Sequence, residues 1–159
     1  MNSKTIIIER TFNAPIQKVW NAWTDAGEIK KWWGPKDFTA PSVTIDFRAG
    51  GRYLNCMRGA VSPDSPPQDF WSGGEYKEII PLQKIVSSDY FTDAQGNKIS
   101  PKEVGMPGEW PDEMDVTVTF EDLGDETKIT LVHEGHPEEI YEMALMGWNQ
   151  TLDKFAESL

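Results

Sequence analysis

The feature that most narrows what this chain can become is its last stretch, residues 137–159. Ile140, Ala144, Trp148, Thr151, Phe155 and Leu159 recur there at three- and four-residue steps, the period of one helix face. Pro137 suits a first helical position, where its missing N–H costs nothing, and Glu138, Glu139 and Glu142 follow where the helix dipole favours negative charge. A helix over the whole stretch would be about 34 Å long. Nearly everything before it reads as short strands. One long amphipathic helix after many strands needs a sheet to lie on, and the space between the two is where a site is expected.

The strands follow from period-two alternation. Ile6, Ile8, Arg10 and Phe12 share one face of a first strand, residues 4–12, against Ile7, Glu9 and Thr11. Asn13-Ala14-Pro15 opens a short helix with Val19, Trp20 and Trp23 on its apolar face. Thr24 or Asp25 caps a second over residues 26–33, stopped by Gly34-Pro35. Trp20, Trp23, Trp32 and Trp33 are expected to seal this two-helix end. Val43, Ile45 and Phe47 alternate up to a turn at Gly50-Gly51, and Tyr53, Asn55 and Met57 share a face of the returning strand. After a proline-rich loop come strands over 70–80 and 82–91, broken at Pro81. The loop over 92–112 is long enough to be functional and is expected to fold over something through Met106 and Trp110. A last hairpin places Val116, Val118, Phe120, Ile129 and Leu131 on the inner face. Together these predict one α+β domain over 1–159, with an antiparallel sheet covered on one face by helices.

Charge and cysteine usage narrow the partners. With 26 Asp and Glu against 15 Lys and Arg, the formal charge is −11. That field repels nucleic acid and anionic membranes, so neither is expected as a partner. Cys56 is alone, which excludes an internal disulfide and suits a reducing cytoplasm. The first ten residues alternate and carry charge, unlike a signal peptide, and no run is long enough to span a bilayer. A cytoplasmic location is the resulting expectation.

Several motifs in order resemble a known family. They are Asn13-Ala14-Pro15 with Val19-Trp20 and Trp23-Thr24; Trp32-Trp33-Gly34-Pro35; Asp46-Phe47-Arg48 with Gly50-Gly51 and Met57-Arg58; residues 74–79, Gly-Glu-Tyr-Lys-Glu-Ile; and Gly147-Trp148 with Leu152. They are similar to the activator homologues of the ninety-kilodalton heat-shock protein ATPase, the AHSA-type proteins, within the START and birch-pollen-allergen-like superfamily. The resemblance implies a helix-grip fold: a seven-stranded antiparallel sheet curled around a long C-terminal helix, with two short helices between strands one and two. That superfamily includes lipid carriers, hormone receptors, polyketide cyclases and stress proteins. The eukaryotic activators carry a further chaperone-binding domain to which nothing in this sequence corresponds, so a chaperone partner is a weaker expectation than a small ligand.

The chemistry-bearing residues give three readings. No phosphate loop, dinucleotide fingerprint or paired-cysteine metal site occurs, so no cofactor is expected. His133-Glu134-Gly135-His136 misses the zinc-protease spacing, and no metal ligand is assigned. The first reading is a binding module for a small hydrophobic or aromatic molecule. Its expected lining is Tyr53, Asn55, Met57, Tyr76, Glu78, Trp110, His133, Met143, Gly147 and Trp148. Gly147 is expected to keep space beside Trp148. The second is a cyclase- or hydrolase-like enzyme using Glu78 or His133 as acid or base, favoured by a closed cavity in which acid and base are paired, with Arg10 as a cation able to pair with Glu78. No residue is assigned a catalytic role on sequence alone. The third is a protein-interaction module of co-chaperone type.

Overall fold

In the computed structural model, which describes residues 3–159, alternation resolves into seven strands. They are β1 (Ser3–Phe12), β2 (Thr39–Ile45), β3 (Arg52–Gly59), β4 (Gln68–Ile80), β5 (Lys84–Thr92), β6 (Met114–Asp122) and β7 (Thr127–Pro137). They form one sheet in the order β1-β7-β6-β5-β4-β3-β2, every neighbour antiparallel. Helices α1 (Ile16–Thr24) and α2 (Ala26–Ile29) lie between β1 and β2, and α3 (Tyr141–Ser158) ends the chain. This is the helix-grip arrangement.

The inner face is the expected one. Val116, Val118, Phe120, Ile129 and Leu131 are buried, as are Ile6, Ile8 and Phe12, while Ile7 on the opposite face of β1 is 63% exposed. Direct pairing carries one row across the sheet: Tyr76 opposite Ser87, Ser87 opposite Val116, Val116 opposite His133, and His133 opposite Ile6. Partners in a row point to the same side, so these residues all face α3.

Phe155 is the hub of the packing. It is fully buried, and its ring meets Phe12 at 5.0 Å, Trp23 at 5.1 Å and Trp32 at 4.9 Å, all edge-on. The Trp32 indole donates to Ala22 O at 3.0 Å, so its one polar atom is satisfied inside the core. Arg10 projects from the inner face of β1 and donates to Asp153 of α3 at 2.8 Å. The Lys154 ammonium faces the carbonyls of Gly34 at 3.0 Å and Phe38 at 2.9 Å, with those of Trp33 and Pro35 each 3.4 Å away. This holds the segment that carries Trp33 against α3.

Two boundaries differ from the sequence reading. Pro137 does not open the last helix; it ends β7, paired with Ser3, and a single 3-10 turn at Glu138–Ile140 intervenes before α3. Strand pairing with β1 satisfies the backbone there and delays the helix by four residues. The second helix is also shorter than residues 26–33. Asp25 does cap it, accepting from Glu28 N at 3.0 Å, but after Ile29 the chain tightens into turns that bring Trp32 inward.

Phe155→Ala should cost about 3–5 kcal/mol in urea-denaturation free energy, whereas Ile7→Ala should stay within roughly 0.5 kcal/mol. Comparable losses for the two would place the core on the wrong face of β1.

Candidate functional site

Phe155 fills one end of the space under α3, but the middle is not filled. A cavity of about 70 Å³ lies between the sheet and the helices. Six aromatic rings wall it: Trp23, Trp32, Trp33 and Trp148 from the helical side, and Tyr53 and Tyr76 from the sheet. Ile29, Ile45, Ile85, Val116 and Val118 complete its apolar surface, and its polar atoms come from Asn55, Ser87 and Asp89. A larger depression of about 460 Å³ near the chain's end, by Gln17, Lys18, Asn21 and Glu28, gathers no such convergent set.

The polar end is held by a chain of contacts. The Trp148 indole N–H donates to His133 Nδ1 at 2.9 Å. Because that nitrogen accepts, the ring proton sits on Nε2, which lies 3.1 Å from Asp89 Oδ2. The approach is close but off the N–H direction, leaving Nε2 without a formed hydrogen bond. The Tyr53 hydroxyl donates to Ser88 O at 2.7 Å and lies 3.4 Å from Asp89 Oδ1. Burial first, and then the Asp89 charge, push the Tyr53 phenol well above its usual range, and burial raises Tyr76 as well. Both remain protonated phenols. Asn55 is 5% exposed, yet its Oδ1 has no partner. A buried, unpaired amide oxygen costs stability that pairing would restore.

The expected lining residues divide by position. Tyr53, Asn55, Tyr76 and Trp148 meet at the cavity. His133 stands one layer behind the wall, between Trp148 and Asp89. Met57 lies on the face of Tyr53 and Asn55 but beyond the cavity, near Gly34. Glu78 does not face inward. Tyr76 pairs with Ser87 and Glu78 with Val86, so a bulge inserts one extra residue between them and reverses the alternation. Glu78 is exposed and bonds Lys84 at 3.0 Å, while Arg10 pairs with Asp153 instead. The Glu78–His133 acid and base pair is therefore not assembled. Met143 is 51% exposed on the outer side of α3. Gly147 borders open space, with nothing within 4 Å of an added Cβ, so it spares no room for the sheet.

Trp110 belongs to a neighbouring cluster. The long loop folds back so that its ring packs 5.3 Å from Phe91 and 6.1 Å from His136. A Cβ on Gly108, whose φ is +98°, would stand 2.6 Å from Pro137 Cβ, so only glycine permits the loop to lie this close to the end of β7. His136 meets His133 at 4.2 Å, edge to face, and its Nδ1 is unpartnered. Burial, reinforced by His133, pushes His136 down to about 4.

Sequence reasoning missed Asp89, Ser87 and the cavity-facing roles of Trp23, Trp32 and Trp33. The first two carry a visible signal, since Ile85, Ser87 and Asp89 continue one face of β5. The tryptophans gave none, because a core ring and a cavity wall look alike in sequence.

A seven-stranded antiparallel sheet curled around its last helix, with the unfilled space between them, defines the helix-grip class. Within that class the chain belongs to the family described as activator of Hsp90 ATPase homolog 1-like protein, which it matches over residues 13–159. A structurally characterised protein of Chromobacterium violaceum is 31% identical, with 96% of this chain and 94% of that one aligned at a TM-score of 0.75. A protein of Arthrobacter aurescens is 24% identical over 97% of this chain and 84% of its own, also at 0.75. The AHSA1 protein of Silicibacter pomeroyi is 20% identical over 97% and 96%, at 0.74. The last two share the fold. No curated protein matches the chain.

Two outcomes follow. Gly147→Ala should raise the unfolding free energy by up to about 1 kcal/mol, through helix propensity and a less flexible unfolded chain; destabilisation would mean that Gly147 does face a packed surface. The second concerns acid. A histidine held near 4 in the fold and at about 6.5 when unfolded contributes stability that is complete above 6.5 and lost as pH falls from there toward 4. His136→Phe should therefore lose less stability than the parent between pH 7.5 and pH 4.5 in urea titrations. Equal losses would remove His136 from the acid response.

Proposed function

We propose that this domain is a binding module for a small, compact molecule held between the sheet and α3. The observation that carries the reading is the unfilled aromatic cavity whose buried Asn55 Oδ1 has no partner within the protein. Cores normally pack to the density of organic crystals and pair their buried polar groups. A gap ringed by six aromatics, with one unsatisfied amide in its wall, has the makeup of a small-molecule site: mainly apolar, with few polar groups. Its size favours a ligand of few atoms. An engineered cavity of about 150 Å³ holds benzene, and this one is about half that in the conformation described. A lipid chain would need α3 to move away.

The enzyme reading lacks its acid and base pair, since Glu78 faces solvent. A docking module of co-chaperone type would present an exposed aromatic surface. Among the described residues the exposed large apolar side chains are Ile7, Val61, Ile80, Leu123, Met143 and Met146, none of them aromatic. Small-molecule binding is the reading that uses the features present.

Tryptophan fluorescence titrations with two compact probes test it: trimethylammonium, and tert-butanol as an uncharged molecule with the same trimethyl head. At least one should bind the parent protein in competition with water, and Val116→Phe, which grows a ring into the cavity, should abolish that binding while the protein remains folded. Binding of neither probe, or binding undiminished in Val116→Phe, would contradict the reading. A loss of about 1–3 kcal/mol in Val116→Phe with no binding in the parent would indicate a packed core instead.

A further inference from the structure

We infer that the ligand of this cavity is a compact organic ammonium ion carrying a hydrogen-bond donor. The inference rests on the binding reading above and deepens it by assigning the charge and polarity of the occupant. Three observations point the same way. The wall contains one carboxylate, Asp89, and no lysine, arginine or histidine. Among the described residues no lysine or arginine lies within ion-pair distance of Asp89; its close neighbour is His133. That imidazole has its Nδ1 lone pair taken by the Trp148 indole, which fixes it as the uncharged Nε2–H form and leaves the carboxylate's charge unmatched.

The rest of the wall suits a cation. Trp33 and Trp148 stand edge to face at 6.0 Å, and Tyr53 and Tyr76 are 5.5 Å apart on the sheet side. Aromatic faces attract a cation through their negative quadrupoles, most strongly where water is excluded, and alkylammonium groups are the ligands best matched to such cages. An apolar neutral guest would gain from the rings but would leave Asn55 Oδ1 unpaired and the Asp89 charge uncancelled. An anion would face Asp89 across a medium of low dielectric and be repelled. Asn55 Oδ1 is itself closed to solvent and unpaired, so a guest carrying one N–H or O–H gains it as a partner once the amide turns toward the cavity. The formal charge of −11 also raises the local concentration of cations at the surface, aiding encounter.

The two probes already named discriminate, because trimethylammonium and tert-butanol each carry one donor and differ in charge. For so few atoms the dissociation constant is on the order of tens of micromolar at best. Trimethylammonium should bind the parent at least about tenfold more tightly than tert-butanol. Asp89→Asn should reduce trimethylammonium affinity by about tenfold or more while tert-butanol changes little. Near-UV circular dichroism checks that the variant keeps its packing. Should Asp89→Asn fail to fold, Asn55→Asp replaces it: a second carboxylate of the same shape should tighten trimethylammonium and not tert-butanol. Equal binding of the two probes to the parent, or trimethylammonium affinity indifferent to these substitutions, would overturn the cation assignment while leaving the binding module standing. Binding of neither probe would bring down both.

Discussion

The structure depends on where α3 can and cannot touch the sheet. A twisted antiparallel sheet curves, and a straight helix laid across it makes full contact only over part of its length. In this chain the contact is made at the C-terminal half, where Phe155 is enclosed by Phe12, Trp23 and Trp32. Leu152 and Thr151 extend that buried stripe. Closer to the helix start, the next inward residue is Trp148, and it reaches the sheet through a hydrogen bond to His133 rather than by filling the gap. The cavity is the space left between these two anchors.

That geometry also determines the electrostatics. An indole N–H donor on the helix meets an imidazole on β7, and the imidazole in turn faces a carboxylate on β5. Because the indole claims Nδ1, the imidazole is neutral in this arrangement, and Asp89 faces the cavity with its negative charge supported by the Tyr53 hydroxyl and approached by Nε2 but cancelled by neither. The Asp89 side chain is partly buried, 21% exposed, and a carboxylate drawn partly out of water with no cancelling charge costs stability. A protein keeps one where something that binds there makes it favourable, and the six rings beside it favour the same sign of guest.

Much of this fold was legible from periodicity. The residues that alternate on β1, β6 and β7 are the buried ones, and the family resemblance carried the strand count and the grip of the helix. The errors have local physical causes. Glu78 was placed inward because it lies two residues from Tyr76, and a bulge between them cannot be read from alternation. Pro137 looked like a helix start because proline fits that position, yet its extended backbone serves equally well to end a strand paired with Ser3. Gly147 suggests a space kept for the sheet or for a ligand; open space is what lies beside it, with no sheet atom within 4 Å of an added Cβ. Three of the six rings of the cavity wall, Trp23, Trp32 and Trp33, stayed hidden because whether a tryptophan fills a core or faces a void depends on the distance between elements far apart in sequence.

The space between the sheet and α3 either takes a guest or is a packing defect. The seven tryptophans allow it to be tested directly, since four of them line the cavity and three do not. In a nitrogen-15-labelled sample each indole N–H gives its own resonance. Adding trimethylammonium should shift those of Trp23, Trp32, Trp33 and Trp148 in a saturable way and leave those of Trp20, Trp71 and Trp110 nearly in place. Saturable shifts confined to Trp71 or Trp110, or no saturable shift at any indole with either trimethylammonium or tert-butanol, would mark the space as a packing defect.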